Sequence, residues 1–155
     1  MSNYLLAFGC SKIVKEIENI FLTNGNDSSE ISVSRINQSV SLLAISKSQH
    51  IIEIEDSKYF FRGWFQDHES RGIVLGGNGF KDWLKDEVHR ELVAKTDYEG
   101  AYVSAIFSDE KLSVRNDTFS YLPVIHFSSK KLFVCSDSMY IISEVRKALG
   151  MPCKL

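Results

Sequence analysis

Ser2 is the first residue with usable chemistry. Initiator methionine is normally removed before so small a side chain, which would leave Ser2 at the mature terminus with a hydroxyl beside a free α-amine, a nucleophile carrying its own general base. Cys10, Cys135 and Cys153 are an odd number without C-x-x-C spacing, which argues against a disulfide framework and against a zinc site. They are expected to be reduced thiols with no catalytic role. His50, His68, His89 and His126 are scattered and no pair has i, i+4 spacing, so no metal is expected. "GGNG" at Gly76 to Gly79 lies between a strand-like and a helix-like run but matches neither G-x-x-x-x-G-K-[ST] nor G-x-G-x-x-G. It reads as a flexible turn, and no cofactor is implied.

These residues must be positioned by one core. A chain of 155 residues buries roughly 70% of its unfolded surface. With 44% hydrophobic and 25% charged residues it has the composition of an ordinary globular protein. Net charge is -2, with no basic run to neutralise a phosphate backbone, so nucleic acid is not an expected partner. Phe60, Phe61, Trp64 and Phe65 in "DSKYFFRGWFQDHES" read as core and rim of a central strand rather than as base-stacking rings. No basic n-region precedes an apolar run and no stretch approaches 18 apolar residues, so neither export nor membrane insertion is expected, and the location expected is cytoplasmic.

"YLLAFG" predicts a buried first strand, and "SKIVKEIENIFLTNG" places Ile13, Val14, Ile17, Ile20 and Phe21 at helical spacing before an Asn-Gly stop. Five strand-like runs follow: "EISVSRI", "SVSLLAIS", "HIIEIE", "YFFRGWF" and "GIVLG". "GFKDWLKDEVHRELVAK" restores helical periodicity, with Phe80, Trp83, Leu84, Val88 and Leu92 on one side. "AYVSAIF", "KLSVR", "PVIHF" and "KLFVCS" return to strands before a last helix from about Ser138 to Leu149. Short links such as "SDEK" and "SSKK" favour antiparallel pairing. Runs as continuously apolar as "LLAI" and "YFF" need cover on both faces, which predicts an α+β fold with two stacked sheets and helices outside.

From Glu99 onward the order of residues resembles the glutamine amidotransferase domain that opens asparagine synthetases, a class II member of the N-terminal-nucleophile hydrolases. "EGAYVSAIFS", "LSVRNDTFSYLPVIH" and "VCSD" are similar to that family's D/E-G-x-F-A-F-x-x-W-D, L-A-R-D-x-x-G-x-x-P-L-Y-Y and F-A-S-E segments. Gly100, Asp117, Pro123 and Asp137 carry the match, and "FRGWFQD" resembles the family's N-G-E-I-Y-N strand through Gly63. The resemblance implies a four-layer αββα sandwich over residues 1–150, with 151–155 a tail or the start of a linker. It also implies a degenerate site. Leu5 falls in the slot of the nucleophilic cysteine, Arg62 and Gly63 stand where Asn and Gly stabilise the oxyanion, and Trp64 replaces a Glu and fills a polar pocket.

The function so implied is a catalytically silent glutamine-amidotransferase-like domain of an asparagine-synthetase-like, ATP-dependent amide-forming enzyme, acting in packing or partner binding. Its expected partner is an ATP-pyrophosphatase-type synthetase domain or subunit. Two alternatives stay open at this point: an active N-terminal hydrolase using Ser2, and a free-standing regulatory interaction module. Oligomeric state is left open.

Overall fold

The computed structural model describes residues 4–23, 32–37, 40–44 and 51–151; Ser2, His50, Cys153 and the tail after Met151 lie outside the described residues. The first half of the chain order is β1 (Tyr4–Gly9), α1 (Ser11–Thr23), β2 (Ser32–Asn37), β3 (Val40–Ala44), β4 (Ile52–Ile54), β5 (Ser57–Gln66), β6 (Ile73–Leu75) and α2 (Gly76–Trp83). It continues with α3 (Glu87–Leu92), β7 (Gly100–Ser108), β8 (Lys111–Asn116), β9 (Ile125–Ser129), β10 (Leu132–Ser136) and α4 (Met139–Ala148). This is mixed α+β structure with two mainly antiparallel sheets. Among the described residues, each strand-like run of the sequence contains a strand.

The chain divides into two compact units, one of Met1–Lys47 with Val124–Leu155 and one of Ser48–Pro123. In the first, β1 lies between β3 and β10 in a sheet ordered β2-β3-β1-β10-β9. Alternation along β1 sends Leu5 and Ala7 to one face, where they join Ile17 and Phe21 of α1, Val134 of β10 and Ile142 of α4 in one apolar cluster. Each fully buried Leu, Ile, Val or Phe side chain among them contributes about 1.5–3 kcal/mol over exposure. Ser138 caps α4, its hydroxyl accepting from the Ile141 amide at 3.4 Å.

In the second unit the order is β4-β5-β7-β8, with β6 paired to β5. Tyr59, Phe61 and Phe65 of β5 face Phe80 and Trp83 of α2. Phe61 stacks on Phe80 with centroids 4.4 Å apart, and Phe65 meets Trp83 edge-on at 5.0 Å. Such ring pairs add about 0.5–1.5 kcal/mol beyond their area. Phe60, Arg62 and Trp64 occupy the opposite face of the strand, across from Ala105, Val103 and Ala101 of β7.

Two expectations are corrected. The run read as one helix is two, because the chain turns at Lys85 and the Asp86 side chain accepts from the Val88 amide at 3.0 Å to start α3 afresh. Val88 is consequently exposed instead of lying beside Phe80 and Trp83. "GGNG" is not a separate turn either: it opens α2 directly after β6, and only Gly76 at that junction keeps a turn-like φ of +62°. The apolar face of the residues that follow outweighs the poor helix propensity of three glycines.

Candidate functional site

The middle of the second unit is organised by two glycines and one carboxylate. Gly63 pairs with Tyr102, and Gly100 with Phe65, across the β5–β7 ladder. Gly63 has φ +106°, and a Cβ there would run into the Ala101 carbonyl oxygen; a Cβ on Gly100 would run into the carbonyl oxygen of Trp64. Both residues let the strands approach where a side chain would part them. Beyond β8 the buried Asp117 turns the chain back on itself. Its carboxylate accepts from the amides of Phe119 at 3.1 Å, Tyr121 at 3.0 Å, Tyr102 at 3.3 Å and Leu122 at 3.4 Å. Ser120 sits inside this loop with φ +54°.

A cavity of about 880 Å³ opens between that loop and the strand ends, lined among others by Trp64, Asp97, Glu99, Phe119, Tyr121 and Leu122. Its aromatic rings are wet: Trp64 is 43% exposed, Phe119 76% and Tyr121 68%. Trp64 thus forms part of the wall of an open cavity. Asp97 is held by the Arg115 guanidinium at 2.5 Å. The Tyr98 and Tyr102 phenols are pushed above their ordinary pKa, in each case first by burial.

Of the other predicted residues, Arg62 lies on the same face of β5 as Trp64, two residues away, without lining the cavity. Pro123 is exposed at the end of the second unit. Leu5 is fully buried in the helix-side cluster of the first unit, and Asp137 lies between β10 and α4 of that unit. Cys10 is exposed just after β1, whereas Cys135 is buried in β10, and burial pushes its thiol up to about 12. Neither cysteine lines the cavity. Among the described residues no group of three His, Cys, Asp or Glu side chains is placed to hold a metal ion, and no helix is long and apolar enough to cross a membrane.

Glu99, Phe119 and Tyr121 were missed as cavity residues by sequence reasoning. The sequence offers at most a slight hint, two aromatics at i and i+2 that begin two residues after an Asp in a turn-like segment, and none that brings them together with Glu99. No family model, curated protein or solved structure matches the chain.

Proposed function

We propose that the chain is a catalytically silent glutamine-amidotransferase-like domain of an asparagine-synthetase-like, ATP-dependent amide-forming enzyme, with the four-layer αββα fold of that family. Its work is packing or partner binding, with an ATP-pyrophosphatase-type domain or subunit as the partner. The observation that carries the reading is the Asp117–Pro123 loop. The family's D-x-x-G-x-x-P pattern calls for an acceptor at its first position and a residue tolerant of positive φ at its fourth. Asp117 accepts four backbone amides, and Ser120, at the glycine's place, has φ +54°. Gly63 and Gly100 add a second match, since both family glycines fall where backbone meets backbone.

Silence follows from what stands at the reacting positions. Glutamine hydrolysis needs an activated nucleophile and a donor for the oxyanion, and losing one such donor alone costs roughly 100- to 1000-fold in rate. Leu5 has no nucleophilic atom and is enclosed by Ile17, Phe21 and Ile142. The test is incubation of the protein, with its native processed N-terminus, with glutamine and with an electrophilic glutamine analogue. Neither ammonia release nor a covalent adduct is expected. An adduct placed on Ser2 by mass spectrometry would replace this reading with that of an active N-terminal hydrolase.

A further inference from the structure

The cavity beside Trp64 has a chemistry that the amidotransferase reading does not use. Its walls include the rings of Trp64, Phe119 and Tyr121, its ionisable acids are Asp97 and Glu99, and no Lys, Arg or His lines it. Asp97 is already matched by Arg115, so Glu99 leaves the lining with surplus negative charge. The loop is set before any ligand arrives, because Asp117 fixes the amides of Phe119 and Tyr121 and the two rings stand 5.8 Å apart, tilted by 48°. Preorganised rings lose little freedom on binding.

Each ligand class meets this lining differently. An anion would find no cationic side chain and would face a carboxylate. A neutral apolar molecule would gain only contact area. An alkylated ammonium has its charge spread over methyl groups that sit well against the negative face of an aromatic ring, and it sheds water more easily than a bare ammonium. Glu99 then supplies the counter-charge.

We propose that this cavity binds a small organic cation carrying an alkylated ammonium group, with Trp64, Phe119 and Tyr121 around the methyls and Glu99 as the counter-charge. The assignment stands on the cavity alone and is independent of any ancestry in amidotransferases.

Calorimetric titration with choline, and with 3,3-dimethylbutan-1-ol as its uncharged isostere, tests it at constant ionic strength. Choline should saturate one site in the millimolar range or below, and the isostere should bind at least about 3-fold more weakly. Trp64→Leu and Phe119→Ala should each weaken choline by roughly 3- to 30-fold. Glu99→Gln should weaken choline and leave the isostere unchanged. Phe119 is so exposed that its truncation leaves the core intact, which an unchanged thermal midpoint would verify. Equal binding of choline and its isostere, absence of saturation by choline, or indifference to both aromatic substitutions would overturn the proposal. A trimethyllysine peptide binding far more tightly than choline would overturn it as well, by making the ligand a polypeptide.

Discussion

Asp117 and Tyr102 are joined twice: the Asp117 amide donates to the Tyr102 carbonyl at 3.0 Å, and the Tyr102 amide donates to Asp117 Oδ2 at 3.3 Å. The first bond carries β-type pairing past the end of β8, and the second ties the carboxylate that holds the loop to the central strand β7. Removing the carboxylate orphans several backbone donors together. Asp117→Ala should therefore destabilise the protein by about 3 kcal/mol, and Asp117→Asn, which keeps one acceptor oxygen, by about 1–2 kcal/mol. Urea unfolding measures both. Losses within about 0.5 kcal/mol would show that water replaces the carboxylate at no cost.

Gly63 and Gly100 make a prediction with an internal control. Alanine at either position drives a methyl into a backbone carbonyl oxygen of the neighbouring strand, and only separation of β5 from β7 relieves it. Each substitution should cost about 3 kcal/mol or prevent folding. Gly79, inside α2, has its nearest obstacle 3.9 Å from a built Cβ. Gly79→Ala should instead stabilise by about 0.5–1 kcal/mol through helix propensity. The opposite signs are the test, read as shifts in denaturation midpoint.

The same residues show how far the sequence could be read. β5 and β7 were legible because Tyr59 to Phe65 and Ala101 to Phe107 alternate or run apolar, and the covering of both faces by apolar side chains is a property of composition along a strand. The break between α2 and α3 was not legible, since Phe80, Trp83, Leu84, Val88 and Leu92 keep helical period straight through it. The break is held by the Asp86 carboxylate accepting from the Val88 amide and by the Arg90 guanidinium donating to the Leu84 and Lys85 carbonyls, and a capping Asp or Arg looks in sequence like any charged helix residue. At the cavity, Trp64 reads in sequence as core or rim of a central strand, and only the fold places it in the cavity wall. Glu99, Phe119 and Tyr121 come together through the fold of a loop around Asp117, and nothing in local periodicity encodes that convergence.

The hairpin between β7 and β8 turns through Asp109 and Glu110, with φ of +50° and +58°. Ser108 faces Lys111 across it, so this is a two-residue turn with both central residues left-handed, the geometry that Asn-Gly adopts most readily. Glu110 bears a strain that glycine would not. The double substitution Asp109→Asn, Glu110→Gly should raise stability by about 1 kcal/mol, seen as a higher thermal midpoint with unchanged circular dichroism. A lower midpoint would mean the turn is held by contacts of the Glu110 side chain.

Cys135 offers a chemical test of the first unit. Burial keeps its thiol protonated up to about 12, against an ordinary value of 9.0. In a Cys153→Ser background, a thiol reagent at pH 8 should modify Cys10, which is exposed, and leave Cys135 untouched until urea is added. The linked effect on folding has a fixed sign. The unfolded thiol ionises near 9.0 and the folded one does not, so its contribution to stability is full below that pH and is lost as pH rises toward about 12. Fast labelling of Cys135 in the native protein would place β10 at the surface.

Asp67 gives the acid counterpart, at the junction of β5 and β6. Burial pushes its pKa up, but the Ser70 hydroxyl at 2.6 Å, the amides of Glu69 and Ser70 and the charge of His89 together outweigh it, and the carboxyl titrates below the ordinary 3.8. A depressed folded pKa means the folded state favours the ionised form. Its contribution is therefore complete above the unfolded value and is lost as pH falls from about 3.8 through the lower folded value. Asp67→Asn keeps the shape and removes the charge. At pH 7 it should cost about 1.5–3 kcal/mol, the range for a hydrogen bond to a charged group. In urea titrations repeated down the pH scale, the gap between the two proteins should narrow only below pH 4, as protonation makes the native carboxyl resemble the amide. A gap independent of pH, or one that widens in acid, would show that geometry alone, and not charge, holds the Ser70 turn.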